Sequence, residues 1–463
     1  MGLLRAGMHV HLIGIGGIGL SALARVLKGR GCCVSGSDRQ LTVLTEALAA
    51  EGIAVYSGHR AEHVTDADLV VVSSAVPAEN PEVIEAQRLG IPVVKRELML
   101  EELTTGKITI AVAGTHGKTT TSAMIAWILL QAGLDPTFIV GGILQNLGTN
   151  GRAGNGPYFV VEADEYDRTF LGLKPQVAVI TTLEHDHPDC YPTFDDMREA
   201  FTAFAERVVA GGLLILCGEE PQVLPLGTAI GSEGRRVETY GLSSQWDWWA
   251  HGAQLGNHAT FDIWKRTTRL GACALQVPGR HNVLNALAAL AASAEAGVDF
   301  GVATSALTRF RGTQRRFEVK GQTAGVTVVD DYAHHPTEIR ATLAAARIKY
   351  PGRPVWAVFQ PHTYSRTAAL LDDFAAALAG ADHVLVTDIY AARELDTMGL
   401  SGASIVARMN GVDATYIEAM GDAVRMLLDR VQPGDVVITL GAGDGYVIGE
   451  KLLDGLKDRE RKS

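Results

Sequence analysis

Cysteine is scarce. The five residues (Cys32, Cys33, Cys190, Cys217, Cys273) are odd in number and include no CxxC pair. That excludes a disulfide framework and a structural zinc site, and it suits reduced thiols in a cytoplasm. No long basic block offsets a formal charge of −11. A nucleic-acid partner is therefore excluded, and anionic ligands must be held by local devices: glycine loops, helix ends, Lys and Arg. Trp246, Trp248 and Trp249 cluster without a basic groove around them, so they read as packing residues rather than a base-stacking platform. No apolar run reaches the roughly 18 residues needed to cross a bilayer. Near the start, His9, His11 and several glycines interrupt what would be a leader's apolar region. The expectation is a cytoplasmic protein with no membrane partner. Repeats and low-complexity tracts are also missing.

What is present is an ordinary globular composition, 47% hydrophobic with 51 glycines, over 463 residues. That length predicts two to four domains, each with its own core. The stretch Ile108–Gly133 (ITIAVAGTHGKTTTSAMIAWILLQAG) predicts a strand, a glycine loop and a helix. Within it, Gly114-Thr115-His116-Gly117-Lys118-Thr119-Thr120 has GxxGK[ST] spacing, two residues shorter than GxxxxGK[ST]. The glycines let backbone N–H groups approach phosphate oxygens at a helix N-terminus. Lys118 then reaches the β- and γ-phosphates, and Thr119 offers a hydroxyl to Mg²⁺. ATP is the expected ligand.

Upstream, a strand over residues 9–15 runs into Gly14-Ile15-Gly16-Gly17-Ile18-Gly19 and a helix over 20–29, with a second strand ending at Asp38. This is a GxGxxG fingerprint that fits NAD, and it equally fits any diphosphate at a helix N-terminus. Strands over 68–75 and 91–94 complete a parallel α/β unit over residues 1–105. The central unit, 106–312, is predicted to carry strands at 138–140, 158–163, 177–182 and 212–217, and helices at 194–210 and 281–297. A glycine-rich loop, 141–156, is too long for a tight connection. Residues 309–319 (RFRGTQRRFEV) read as a linker into a third unit, 313–463. There strands at 326–330, 355–360, 383–388 and 436–440 alternate with helices at 336–350 and 367–378, and the charged tail 457–463 is expected to fray. The glycine turn 441–445 admits a second dinucleotide site or a plain strand-end turn.

The ends of these strands carry the chemistry. Glu162 follows the apolar run YFVV, and Glu with Thr suits the oxygen preference of Mg²⁺. His187, in the turn Asp186-His187-Pro188-Asp189, lies one strand further on and is a candidate metal ligand. Arg315 and Arg316 are either solvated linker charge or a guanidinium reaching a transferring phosphoryl group. The cluster Asp330-Asp331-Tyr332-Ala333-His334-His335-Pro336-Thr337-Glu338 follows an apolar strand, and His362, Tyr364 and Arg366 follow the next one. Both clusters are expected to face a single cleft.

Eight segments, in order, make the whole chain resemble the ATP-dependent Mur ligase family: GIGGIGLSALA, AGTHGKTTT, VVEADEYD, DHPD, GRHNVLNALAA, RGTQRRFE, VVDDYAHHPTEI and QPHTYSRT. The resemblance implies an α/β protein of three domains. The first is a Rossmann-like UDP-sugar domain, the second a P-loop ATPase-type domain with a parallel sheet, and the third a Rossmann-like domain receiving the amino acid. It implies that the lactyl carboxylate of UDP-N-acetylmuramate takes the γ-phosphoryl of ATP, and that the amine of L-alanine then displaces phosphate. Residue by residue, Gly114 to Thr120 match the phosphate loop, Thr119 and Glu162 ligands of Mg²⁺, and His187 the ligand of a second Mg²⁺. Asn282 and Asn285 match positions near adenine, Arg316 the γ-phosphate arginine, and Asp331 a nucleotide contact. Tyr332, His334, His362 and Arg366 match the place where amino acid and acyl group meet, with His334 as candidate base. Gly14, Gly16, Gly17, Gly19 and Ser73 then hold the UDP-sugar, not NAD.

The family's later-step enzymes carry a modified lysine where this chain has Thr202, which places it with the alanine-adding branch. Thr363 and Tyr166 depart from that branch, and Tyr166 also occurs in the recycling ligase that attaches a tripeptide to the same sugar nucleotide. An oxidoreductase reading rests on Gly14–Gly19 alone. A monomer or weak homodimer is expected, with a hinge at 310–320 that closes on ATP.

Overall fold

Runs of apolar residues that alternate with glycine turns and helices form three sheets. The computed structural model describes residues 3–230, 234–256, 258–392, 394–396 and 399–462. The first sheet holds β1 (His9–Ile13), β2 (Cys33–Asp38), β3 (Ala54–Ser57), β4 (Leu69–Val72) and β5 (Val93–Lys95). All are parallel, in the order β3-β2-β1-β4-β5, and the helix Ile18–Gly29 starts at the glycine turn after β1.

The second sheet is larger. Its parallel centre is β6 (Ile108–Ala113), β7 (Thr137–Leu144), β9 (Tyr158–Glu162), β10 (Val177–Ile180), β11 (Leu213–Cys217) and β12 (Arg236–Gly241), with β8 (Thr149–Arg152) antiparallel at one edge. β13 (Trp248–Gln254), β14 (Ala259–Lys265) and β15 (Thr268–Leu275) extend the other edge. The order is β15-β14-β13-β12-β11-β10-β6-β9-β7-β8. Alternate residues of one strand feed two cores. Ile110 and Val112 pack toward the helices Lys118–Gln131 and Arg280–Glu295, whereas Ala111 and Ala113 face Phe201 and Phe204 of the helix Phe194–Glu206. A strand buried on both faces has to read as a continuous apolar run, which is why ITIAVA is legible.

The third sheet holds β16 (Glu318–Thr323), β17 (Val326–Asp331), β18 (Val355–Phe359), β19 (His383–Val386), β20 (Asp413–Tyr416) and β21 (Val436–Leu440), in the order β16-β17-β21-β18-β19-β20. Only β16 is antiparallel to its neighbour. The fold is therefore α/β in three domains. Among the described residues no helix is long and apolar enough to cross a membrane.

Several local expectations are corrected. The glycine-rich segment after Val140 is a hairpin, not a loop. β7 continues to Leu144 and β8 returns antiparallel to it, because Gly151 lies flat against Ala22 of the first domain's helix. The segment read as a linker is built in: Thr313 is fully buried and bridges Leu144, and Phe317 is buried. The helix expected over 367–378 is two helices, Tyr364–Ala369 and Leu371–Leu378, broken at Leu370. The tail does not fray through its described residues, since Tyr446–Lys462 is one helix; Ser463 lies outside the described residues. The ribbon β13–β15 had no counterpart in the sequence reading. It is where the tryptophans pack, Trp249 stacking on Trp264 with centroids 5.2 Å apart.

Candidate active site

The phosphate loop leaves the C-terminal end of β6, near the middle of its sheet. Gly114 sits at φ +130, where a side chain would collide with Thr181, and Gly117 at φ +83 opens the helix Lys118–Gln131. Only glycine meets both demands without strain. Lys118 folds over its own loop. Its ammonium donates to the carbonyls of Gly114 (2.5 Å) and Thr115 (3.1 Å) and to Glu165 Oε1 (2.8 Å). Burial opposes its charge, but the carboxylates of Glu165 and Glu162 outweigh that and hold it protonated. Thr119 Oγ1 donates to Glu162 Oε1 at 3.0 Å, and the backbone N–H of Gly141 donates to Glu162 Oε2 at 2.6 Å.

From Lys118 the contacts run in a ring around one cleft. Glu165 lies 4.0 Å from His187 Nε2, and His187 lies 3.8 Å from Asp186. Asp186 Oδ1 accepts from Nε (3.0 Å) and Nη2 (2.7 Å) of Arg366, across to the third domain. Arg366 meets His362 at 3.3 Å, and the His362 ring lies 6.0 Å from His334 and His334 5.3 Å from Tyr332. Arg316 stands 5.2 Å over Tyr332 and donates to Glu338 at 3.2 Å. Glu338 faces His116 Nδ1 at 3.4 Å, while His116 Nε2 meets Glu184 at 3.2 Å and returns the ring to the phosphate loop. The first cluster of the third domain thus meets the phosphate loop through Glu338, and the second meets Asp186 through Arg366.

The charge states follow from these neighbours. Burial disfavours the imidazolium of His116, yet Glu184 and Glu338 outweigh it and raise its pKa to about 9. His334 has the opposite outcome: burial lowers it to about 3, so it is neutral. Its Nδ1 faces the Tyr332 carbonyl at 3.0 Å and therefore carries the hydrogen, leaving Nε2 as the acceptor. Burial raises the Asp331 carboxyl to about 6. Asp331 accepts from the N–H of Phe317 (2.9 Å) and of Ala333 (2.8 Å), which fixes the turn after β17.

The two linker arginines have different work. Arg315 donates to Asp330 Oδ2 (3.1 Å) and to the Gly441 carbonyl (2.7 Å), so the turn at 441 is a structural anchor. Arg315 and Phe317 have left-handed backbone (φ 57 and 47), which turns the chain sharply on either side of Arg316. Arg316 lines a cavity of about 440 Å³, which is also lined by Gly117, Thr119, Asn282, Asn285 and Asp331. That size suits a nucleotide. Asn285 Oδ1 accepts from Thr121 Oγ1 at 3.2 Å, behind Gly117. Thr120 shares the same wall.

The glycine turn of the first domain stands apart from this ring. Asp38, placed where a dinucleotide fold keeps its ribose acid, instead accepts from the N–H of Gly16 at 2.8 Å and closes the turn. Gly17 precedes the helix as its N-cap, and Ser73 lies against Gly14. The link to the ring is Arg96, whose guanidinium covers Gly19 and meets Asp164 at 3.2 Å.

Sequence reasoning missed Arg96, Glu165, Glu184 and Asp186 as site residues, and it placed Glu338 in the cluster 330–338 without a role of its own. For Arg96 the signal was the charged triplet Lys95-Arg96-Glu97 closing a strand; for the acids no local pattern distinguished them from solvated neighbours. His187 adopts left-handed backbone (φ 55) in the segment after β10.

Comparison with known proteins agrees with this architecture. The family catalytic domain of Mur ligases matches residues 9–107, the Mur ligase middle domain 112–293, and the Mur ligase glutamate ligase domain 315–443. The UDP-N-acetylmuramate–L-alanine ligase of Salinibacter ruber is 46% identical, covering 97% of this chain and 95% of that protein. The enzyme of the same name from Geotalea uraniireducens is 45% identical, covering 97% and 98%. Among solved structures, the UDP-N-acetylmuramate–alanine ligase of Thermotoga maritima superposes with a TM-score of 0.84 at 30% identity, covering 98% of this chain and 100% of that one. A murein peptide ligase from Psychrobacter arcticus gives 0.73 at 27% identity, covering 97% and 99%. This chain belongs to the Mur ligase family.

Proposed function

We propose that the protein is the ATP-dependent ligase that joins L-alanine to the lactyl carboxylate of UDP-N-acetylmuramate, yielding ADP and phosphate in bacterial cell-wall precursor synthesis. The observation that carries this reading is the ring of contacts. It brings a phosphate-loop lysine, two arginines and a neutral histidine from two domains around one cleft beside a nucleotide-sized cavity. The curated relatives carry the alanine-adding activity in their names. Residues 1–105 are assigned to the sugar nucleotide, 106–312 to ATP and 313–463 to the amino acid, in a cytoplasmic monomer or weak homodimer.

In this reading Lys118 exchanges its two carbonyl partners for the β- and γ-phosphates, and Arg316 turns from Glu338 to the γ-phosphoryl group. A lactyl carboxylate oxygen attacks γ-phosphorus, the bond to ADP breaks, and an acyl phosphate forms. The neutral amine of alanine then attacks the acyl carbon, the C–O bond to phosphate breaks, and the amine proton passes to His334 Nε2. Arg366, His362 and Tyr332 orient the amino acid. Gly14, Gly16, Gly17, Gly19 and Ser73 hold the sugar nucleotide, with Arg96 facing its diphosphate; the Arg96 Nε is buried without a partner among the described residues.

The donor chemistry fits Mg²⁺. Thr119 and Glu162 offer oxygens to a hard cation. Glu165 pairs with Lys118 through Oε1, but its Oε2 is buried without a hydrogen-bond partner among the described residues, an acceptor that a second cation beside His187 would satisfy. When bound, Mg²⁺ offsets the repulsion between carboxylate and triphosphate. Phosphate release from purified protein tests the assignment. It is expected only when ATP, UDP-N-acetylmuramate and L-alanine are all present. Faster release with a murein tripeptide would transfer the protein to the recycling branch, the second reading that Tyr166 supports.

A further inference from the structure

The hairpin β7–β8 touches all three domains, and its contacts are buried. At one end Asn150, fully buried, reaches into the first domain. Its Nδ2 donates to the Ile18 carbonyl (2.7 Å) and to Ser21 Oγ (3.0 Å), and its Oδ1 accepts from Arg25 Nη1 (2.5 Å). Ile18 and Ser21 form the first turn of the helix that the glycine turn Gly14–Gly19 opens. Gly151 packs so closely that a Cβ there would strike the backbone of Ala22. Further along the hairpin, Gly141 donates to Glu162, and a Cβ on Gly142 would lie 3.0 Å from Thr119. The hairpin also grips the chain leading to Arg316: the N–H of Gln314 donates to Ile143 (2.8 Å) and that of Gln145 to Gly312 (3.0 Å).

One hairpin therefore connects the helix start behind the glycine turn to the acid and the hydroxyl assigned to the nucleotide's cation. We propose that Asn150 is a positioning residue that couples sugar-nucleotide binding at Gly14–Gly19 to Mg-nucleotide binding at Thr119 and Glu162, using the hairpin as the connecting element. The inference rests on the ligand assignments above. Its physical basis is contiguity: Asn150 on β8 satisfies three polar groups of the first domain, and Gly141 on the paired strand β7 hydrogen-bonds Glu162, so displacing one strand shifts the other. A loop in place of the hairpin would absorb such a displacement. A hydrogen-bonded two-stranded ribbon transmits it.

The test is the affinity for UDP-N-acetylmuramate, measured by calorimetry with and without a non-hydrolysable ATP analogue and Mg²⁺. The wild-type protein is expected to bind the sugar nucleotide at least about fivefold more tightly with the analogue present. In Asn150→Ala that ratio is expected to fall toward one, while the affinity for the analogue alone changes less than about twofold. Asn150→Asp keeps the acceptor for Arg25 but loses both donors, and the ratio should fall there too. The thermal midpoint reports folding separately; a purely structural role lowers it and leaves the ratio in place. A wild-type ratio near one, or a ratio unchanged in both variants, overturns the inference. Failure of the wild-type protein to bind UDP-N-acetylmuramate at all overturns the functional reading along with it. Binding and turnover without altered coupling in the variants overturns the inference alone.

Discussion

Asp186→Ala isolates one of the contacts that hold the third domain against the second. Arg366 and Asp186 are 4% and 5% exposed and meet through two charge-assisted hydrogen bonds. Burial pushes the Asp186 carboxyl up, but the nearby His187 and Arg366 outweigh it and hold it below the usual carboxylate range. Removing the acid leaves a guanidinium buried against His362 with no anion to pair it. Breaking one partner of a buried pair costs about 3–5 kcal/mol. When the domains separate, Arg366 regains water, so the cost falls on closure rather than on folding of either domain. At about 1.36 kcal/mol per tenfold, the closed arrangement should lose about 10²–10³-fold or more in population. Small-angle scattering should show a larger radius of gyration than wild type, and saturating nucleotide should compact the variant less. Asp186→Ala combined with Arg366→Met removes both charges; it should recover the compact form but not ligation, since Arg366 also orients the amino acid. A variant as compact and as active as the parent would refute the idea that this pair holds the cleft together.

Lys118→Ala should lower turnover about 10²–10³-fold, the scale for losing one charge-stabilising donor, as read by phosphate release; near-parental turnover would remove the phosphate-loop reading. Gly16→Ala places a Cβ 2.8 Å from Asp38 Oδ2, an overpacking strain of about 1–3 kcal/mol. It should raise KM for the sugar nucleotide and leave KM for ATP unchanged in initial-rate assays. The pKa of His116 is raised to about 9 in the folded protein from an ordinary 6.5. Its contribution to stability is therefore complete below about pH 6.5 and fades as pH rises through about 9. Thermal melts from pH 6 to 10 should show a downward slope in that window for the wild type and a flatter one for His116→Asn.

Features whose chemistry is local were legible before the fold. The phosphate loop is contiguous, and its residue types are dictated by one ligand. ITIAVA announces a strand buried on both faces because both faces must be apolar. The positions of Glu162 and His187 at strand ends followed from the same rule, that open parallel sheets keep their ligands there. Illegible were features that depend on a partner far along the chain. Glycines at 141, 142, 148 and 151 look like a flexible loop, yet two of them are glycine because another backbone or side chain lies against them. The ribbon β13–β15 was missed because its outer faces are solvated and its alternation is broken by register shifts. Arg315 and Arg316 are adjacent and alike, and only the left-handed turns around them send one to an anchor and the other to the cavity.

By itself the sequence determined the α/β character of each domain and the triphosphate loop, because each of these needs only a short, ordered pattern of residue types; the kind of reaction came from the resemblance to the Mur ligase family. Tertiary structure alone decided which acids hold which cations. Glu165 rather than Asp167 pairs with Lys118, Asp186 rather than Asp189 takes Arg366, and Glu184 and Glu338 clasp His116 from two domains. A carboxylate's role is set by what is within about 4 Å of it, where Coulomb attraction outweighs solvation. That neighbourhood is made of residues up to 180 positions apart.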